Sequence, residues 1–520
     1  MERDGTLKFP AFCRYGVRIL FLLCVAFIVF ANFRYQLKGD ANVLLIVLVI
    51  AASLEILFLG KYAARHFKDF LDKKFRVLLA VYLLVLFGIQ IFLGNVIRYM
   101  PMWDLGAVYH GAVSWVEHGN VDSYAEYFYY FPHNLGLTVL FKYYFSLIHG
   151  IFGSGADYYV AALVLGSVVV SVFRFSVVGI CKKLFGTTYA VVAMILMLVC
   201  IPLYFASAVF YTDVMSMAAP ALFYLCYLCS KEAQNVKKRI GWYLLMALIA
   251  AVGMEIKFTV VILLIAVIIE MLLQKHWKQC LLMLGVHIIV ISAAFSCVDH
   301  IVYSEILDEK QAEAMNTPYL HWVMMGAQGN GSYNGADYEL TRSYTDRKEQ
   351  QKALLTEIKK RYKSMGFSGV LKLWEDKTLK CFGDGSFGLS DFLDDEPQKK
   401  TALHDWVLYS GKNFSKYQAF CLGVFLMILF LMICGALGSF CRNAASSVDM
   451  TALWLTFFGI WLFLMFWETS SRYFTNHLSA MLVAAVYGLW QLDIVMKKIA
   501  GRLEQKKGLK NENKNTGSTQ

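Results

Sequence analysis

Four short segments place polar chemistry inside an otherwise apolar chain. The first, RYMPMWDLGAVYHGAVSWVEHG, sets Asp104 within ten residues of the end of an apolar run. A carboxylate held near a membrane interface is costly to desolvate unless it is paired or used. Such a group can take a proton from an acceptor hydroxyl. It can equally cap the amphipathic helix that follows it. The second segment, ASAVFYTDVMSMAAP, carries Asp213 between two apolar runs, where it could also cap a helix. In the third, AVGMEIKFTVVI, Glu255 and Lys257 sit where two runs meet with almost no loop. They can form a turn salt bridge of little energetic value, or Lys257 can act as a point charge on a phosphate. The fourth, FWETSSRYFTNH, spaces Glu468 and Arg472 for an i,i+4 pair on a helix. The alternative is an Arg472 fork that grips phosphate. His321 and Trp322, in NTPYLHWVMMGAQGNGSYNGADYE, form an aromatic–polar cluster that suits either a sugar face or a buried core.

These residues must be positioned by membrane-spanning helices. Hydrophobic residues make up 58% of the 520-residue chain, against about half in soluble domains, and they are concentrated in long runs. Runs of about 20 apolar residues can cross the hydrocarbon. Twelve spans are expected, at 17–33, 41–59, 77–96, 158–181, 188–207, 213–229, 240–254, 258–274, 279–297, 417–437, 450–466 and 475–494. The net charge of +11 does not describe a nucleic-acid-binding stripe, because Lys and Arg cluster in short loops between runs. Most cysteines lie in apolar runs, and the Cys226–Cys229 pair in LFYLCYLCS reads as packing, not redox chemistry. Cys381 is the one well inside a polar stretch, and it reads as a free thiol. The basic, then apolar, N-terminus lacks a small-residue cleavage site and reads as a retained first span.

Sidedness follows from parity. If the N-terminus is cytoplasmic, so are the basic loop 61–76, Lys182, Lys183, segment 231–239, KHWK at 275–278, Arg442 and the tail from Lys497. Every strongly basic short loop then falls on one side. This holds only if LGLTVLFKYYFSLIHGIF (135–152), which carries Lys142, is an interfacial or re-entrant helix and not a span. Four regions result. An N-terminal transmembrane module (1–297) includes a first outer loop at 97–152. A polar extracytoplasmic segment (298–416) is large enough for a small core of its own. C-terminal transmembrane helices (417–496) and a basic cytoplasmic tail (497–520) follow. Asp104, Asp213, Lys257, Glu468, Arg472 and the polar segment all face outward.

The chain has no P-loop and no strand-linked G-x-G-x-x-G. A transferase on the outer face also lacks a supply of nucleotide sugars, so it needs an activated donor delivered by the membrane. A lipid-linked phospho-sugar meets that need and requires Lys or Arg at the outer interface.

The order of these features resembles the GT-C superfamily of polyprenyl-phosphate-sugar-dependent glycosyltransferases. It looks closest to the bacterial branch with family 39-like mannosyltransferases and lipid A aminoarabinose transferases. The resemblance rests on Asp104 in MWDLGAVYHGA, the aromatic YFYYFPHN stretch, Asp213 in YTD, Lys257 in EIKFT and the late Glu468–Tyr473 element. It implies Asp104 as catalytic base and Asp213 as a second catalytic acid. Lys257, Arg472 and Tyr473 would bind the donor phosphate. Tyr109, His110, His133, Asn134, Glu468, His321 and Trp322 would be supporting or acceptor-side residues. The sequence departs from the family pattern in having a lone WD in place of the acidic pair of some relatives, and two extra spans before the first outer loop, where many members have one.

The expectation is therefore an all-α polytopic membrane protein of GT-C type. It would have about twelve transmembrane helices, outer juxtamembrane helices and a small extracytoplasmic α or mixed domain. It would sit in the cell membrane with both termini cytoplasmic and the site outside. The donor would be a polyprenyl-phosphate sugar, and the acceptor a glycan, lipid or protein. Membrane lipids are partners and nucleic acid is not. A phosphate is already a good leaving group, so no cofactor is required, with a divalent cation the one open alternative. The rivals are a transporter or lipid flippase, and a polymerase or ligase using lipid-diphosphate oligosaccharides. Transporters usually show interrupted helices and pseudo-symmetric halves, and the sequence displays neither.

Overall fold

The computed structural model describes residues 5–36, 42–393, 397, 399–440 and 448–516. Among these, all regular structure is helical. Arg442, one of the basic loop residues, lies outside the described residues. In chain order the principal helices are α1 (Gly5–Gln36), α2 (Val43–His66), α3 (Lys68–Val96), α4 (Trp103–His118), α5 (Leu135–Phe152), α6 (Tyr158–Phe185), α7 (Thr187–Val199), α8 (Ala218–Lys231), α9 (Val236–Ile256), α10 (Val261–Leu273) and α11 (Trp277–Glu305). The polar segment adds α12 (Tyr319–Met325), α13 (Gly335–Arg342) and α14 (Arg347–Phe382), and the chain closes with α15 (Phe414–Phe440), α16 (Thr451–Phe466) and α17 (Leu478–Thr516).

Ten helices among the described residues are long and apolar enough to cross a membrane. Nine of them coincide with expected spans. The tenth, Pro132–Gly155, contains α5. The other three expected spans appear as a bent pair, Thr187–Val199 with Pro202–Ala208, and as two shorter apolar helices, Phe258–Leu273 and Thr451–Phe466. Helix α11 continues to Glu305, so the polar segment begins several residues later than expected. That segment is helical throughout its regular parts and has a small apolar centre of Met324, Leu354 and Ile358.

Two ion networks hold one end of the bundle together. Buried Asp493 of α17 pairs with Lys61 of α2 at 2.7 Å, with Arg65, and with the Tyr189 hydroxyl of α7. Fully buried Glu270 of α10 accepts from Tyr227 and Lys231 of α8 at 3.0 and 2.6 Å, and from the Ala452 amide of α16 at 3.0 Å. Charges this deep persist only when paired and hydrogen-bonded.

Helix α5 belongs to the other end. A side chain at Gly136, near its start, would collide with the Glu255 carbonyl at the end of α9. At its middle, Lys142 meets Glu305 at the end of α11, 3.2 Å away. At its far end, His149 bonds the Tyr158 hydroxyl, 2.8 Å away, at the start of α6. An 18-residue helix is about 27 Å long. A helix crossing the bilayer could not meet, at its start, middle and finish, neighbours that all lie at one end of the bundle. Helix α5 thus runs along this end of the bundle.

The sharpest break in a span also faces this end. Pro202, at the first position of its short helix, cannot continue the ladder of α7, and the chain bends by 76°. The following stretch to Met217 is almost entirely buried, which irregular backbone at membrane depth requires. Fully buried Arg174 of α6 reaches into the bend, donating to the Leu203 carbonyl at 3.0 Å and to the Tyr82 hydroxyl at 3.3 Å. The sequence reading did not anticipate an interrupted helix.

This geometry predicts the outcome of labelling single cysteines with a membrane-impermeant maleimide. Cysteines at Asn120 and Ser154, which flank α5, should label from the same face, and one at Lys237 from the opposite face. Labelling of positions 120 and 154 from opposite faces would show that α5 spans.

Candidate functional site

At the α5 end, four irregular stretches converge: the turn into α4, the buried length of chain after the α7 bend, and the connections α9–α10 and α16–α17. Asp104 enters on the first turn of α4, next to Trp103, which has φ +54° and is 83% exposed. A bulky residue in the left-handed region is strained, and such strain persists where the surroundings enforce it. His110, about two turns along α4, lies 3.2 Å from the Pro101 carbonyl and fastens that turn. The Asp104 carboxylate does not cap the helix. It accepts from the Tyr127 hydroxyl at 2.8 Å. Asn134 in turn donates to Tyr127 at 2.6 Å and accepts from the Tyr211 hydroxyl at 3.0 Å. This relay joins the segment between α3 and α5 to the chain beyond the bend.

Two residues past Tyr211, Asp213 is fully buried and also makes no cap. Its carboxylate receives the Lys257 ammonium on one oxygen and the Arg472 Nε at 2.9 Å on the other. Lys257 reaches it from an extended residue at the close of α9, with its ammonium 4.5 Å from the Tyr473 ring centre. The Arg472 guanidinium lies 5.4 Å from the Tyr211 ring and 5.0 Å from the Tyr473 ring. Both local ion pairs suggested by spacing are therefore replaced. Lys257 bonds Asp213 and not Glu255, and the segment carrying Glu468 and Arg472 is not helical, so Arg472 turns to Asp213 while Glu468 accepts from the Tyr473 hydroxyl at 3.3 Å.

The Glu468–Tyr473 segment is fixed from the polar domain. Buried Lys377 of α14 donates to the carbonyls of Gly326 and Trp467, both at 2.7 Å. These carbonyls close α12 and α16, so one ammonium sits at two helix C-termini, where positive charge is favoured. Burial lowers its pKa to about 7. The Thr469 amide bonds the Gly331 carbonyl at 2.7 Å. Gly331 has φ +77°, and a Cβ there would lie 2.7 Å from the Thr469 hydroxyl and 2.9 Å from Lys377 Cε, so a side chain would push these loops apart.

The charges act on one another across these elements. Burial pushes the Glu468 carboxyl up to about 7, with Asp104 adding to the rise and Arg472 and Lys257 opposing it. Burial lowers the Lys257 pKa, Arg472 pushes the same way, and Asp213 and Glu468 resist. Partial burial, then Tyr338 and the charges of Glu339, Asp104 and Glu468, raise that of the exposed Tyr333 hydroxyl. One carboxylate, Asp213, thus faces two cations. With Glu468 protonated, the triad of Asp213, Lys257 and Arg472 carries one net positive charge, and Asp104 is the remaining carboxylate near it.

Of the sequence-derived candidates, Asp104, Asn134, Asp213, Lys257, Glu468, Arg472 and Tyr473 share this neighbourhood. His133 and Trp322 pack edge to face beside it, with ring centres 5.2 Å apart. Tyr109 lies away from it, its ring against Phe145 and Phe210. His110 holds the preceding turn. His321 sits in the polar domain, 2.6 Å from the Thr341 hydroxyl, and burial lowers its pKa to about 4. Tyr127, Tyr211, Tyr333 and Lys377 were not anticipated. Tyr127 and Tyr211 had a signal, since they lie in YFYYFPHN and two residues before Asp213. No group of three or more His, Cys, Asp or Glu side chains placed to hold a metal occurs among the described residues.

These features define a polytopic membrane protein with a polar cluster at one end of its bundle. The chain matches, over residues 16–491, the family described as conserved hypothetical integral membrane protein, and it belongs to that family. No curated protein and no solved structure matches it.

Removing the Asp213 charge should strand Lys257 and Arg472. Asp213→Asn should lower unfolding stability in detergent by about 3 kcal/mol, and Asp213→Glu by less. Wild-type stability in the Asn variant would mean that Asp213 does not compensate these cations.

Proposed function

We propose that the chain is an inverting glycosyltransferase of GT-C type that moves a sugar from a polyprenyl-phosphate donor to an extracytoplasmic acceptor. One observation carries this reading. Lys257 and Arg472 converge on a single carboxylate with positive charge to spare, while a second carboxylate, Asp104, has a tyrosine hydroxyl as its hydrogen-bond partner and, among the described residues, no cation in contact. The first arrangement suits a phosphate and the second suits a general base. Orientation supports the same reading. The basic loops 61–76, 231–239 and 275–278 lie at the end of the bundle opposite the site, and under the positive-inside rule that is the cytoplasmic end.

In this mechanism Asp104 takes the proton of the acceptor hydroxyl as its oxygen attacks the anomeric carbon. The bond from that carbon to the phosphate oxygen breaks on the opposite face. The lipid phosphate leaves with the bonding electrons, and its charge is met by Lys257 and Arg472, which Asp213 and the Tyr473 ring hold in place. Such preorganised charge supplies much of enzymatic rate enhancement. A phosphate leaving group needs no metal.

The bent span and the buried Arg174 favour a second reading, a transporter or lipid flippase, because interrupted helices and intramembrane charge mark transport pathways. Accessibility of a cysteine at position 213 that alternates between the two faces with substrate would select it.

Two outcomes test the transferase. Asp104→Asn should cut sugar transfer from a polyprenyl-phosphate donor by about 10²–10⁴-fold in a folded protein; transfer at the wild-type rate would remove Asp104 as the base. The Glu468 carboxyl, at about 7, loses its proton as pH rises through neutrality and cancels positive charge beside Lys257 and Arg472. The donor KM should therefore rise between about pH 6 and pH 8, and Glu468→Gln should flatten the rise. An unchanged pH profile in Glu468→Gln would exclude this residue as its source.

A further inference from the structure

Above the charged cluster the polar domain and the first outer loop share a continuous row of aromatic rings. Tyr319 and Trp322 have ring centres 6.3 Å apart, Trp322 and His133 5.2 Å, and His133 and Phe131 6.1 Å. The row continues from Phe131 to Tyr338 at 6.4 Å and from Tyr338 to Tyr333 at 6.5 Å. Its base is Tyr127, whose ring lies 5.1 Å from Phe131 and whose hydroxyl bonds Asp104. A packed core would bury the two ends of such a row. Instead Tyr319 is 78% and Tyr333 66% exposed, although both lie beyond the end of α11 and outside the apolar helices. Lipid contact does not account for them.

We propose that this row is a saccharide-binding shelf, and that the acceptor of the reaction is a glycan. The chemistry of the row selects the ligand. Aromatic rings present a negative face to the weakly positive C–H groups on one side of a pyranose. The tyrosine hydroxyls and the His133 ring at the edges of the shelf can bond the sugar's equatorial hydroxyls. A lipid acceptor would need a closed apolar groove, which the shelf does not supply. The row also leads, through Phe131 and Tyr127, to the carboxylate that would take the acceptor's proton. Exposed aromatic patches of this kind mark binding surfaces on otherwise polar domains. The identity of the acceptor rests on the transferase reading, whereas glycan binding by the shelf does not.

The test uses the full-length protein in detergent on an array of immobilised oligosaccharides, with a detergent-only blank, and separately follows release of sugar from a polyprenyl-phosphate donor to water. The wild-type chain should bind a subset of the glycans. The double substitution Tyr319→Ala with Tyr333→Ala should weaken that binding about tenfold, while the paired Phe substitutions, which keep both rings, should retain it. The wild-type chain should also release sugar from the donor, and the Ala variant should elute from size exclusion as the wild type does. Absence of glycan binding above the blank, or equal binding by the Ala variant, overturns the shelf. Glycan binding without any donor turnover upholds the shelf and fails the transferase reading instead.

Discussion

Asp213 is the charge on which the site depends. It is fully buried at the edge of the hydrocarbon, where an isolated carboxylate could not remain ionised. Its two partners come from chain segments 44 and 259 residues away. Satisfying it forces three irregularities to meet: the bend after α7, the near loopless junction of α9 and α10, and the non-helical connection from α16 to α17. The same pairing holds two cations close together, which would repel each other without it. Under the proposed reading, a stable fold and an anion site are one arrangement.

The opposite end shows the contrasting use of the same physics. Asp493 and Glu270 are also buried acceptors of several donors, but they sit between regular helices and brace them. At the α5 end the helices are broken, bent or laid flat, and polar side chains replace ladder hydrogen bonds. The relay Asp104–Tyr127–Asn134–Tyr211 and the clamp of Lys377 on two helix C-termini carry order across these gaps. Rigidity where backbone regularity is lost is what a site that must position charges requires.

Much of this was readable from the sequence because charge in an apolar run is expensive and therefore conspicuous. Asp104, Asp213, Lys257 and Arg472 announce themselves by sitting at span ends, and parity groups them on one face. Their partners did not announce themselves. Glu255 with Lys257, and Glu468 with Arg472, are the pairs that local spacing offers, and neither forms, because the choice depends on a bend and a loop whose geometry only tertiary packing sets. Tyr127 and Tyr211 stand beside the conspicuous residues, yet nothing in the spacing of a chain with 30 tyrosines says that the Tyr127 hydroxyl bonds Asp104 or that the Tyr211 hydroxyl bonds Asn134. Lys377 lies in a long polar helix rich in lysine and reads as solvated surface, yet it is fully buried. Pro202 did signal a break, but in a run of apolar residues it was absorbed into an ordinary span.

The central claim is that the surplus charge of Lys257 and Arg472 exists to hold the phosphate of a lipid-linked sugar. A structure of the protein in lipid with a polyprenyl-phosphate sugar bound tests it most directly. The account predicts the phosphate within hydrogen-bonding distance of the Lys257 ammonium and the Arg472 guanidinium, with the anomeric carbon turned toward Asp104. A donor phosphate held elsewhere, in the bend beside Arg174 or at the Asp493 end of the bundle, would contradict it.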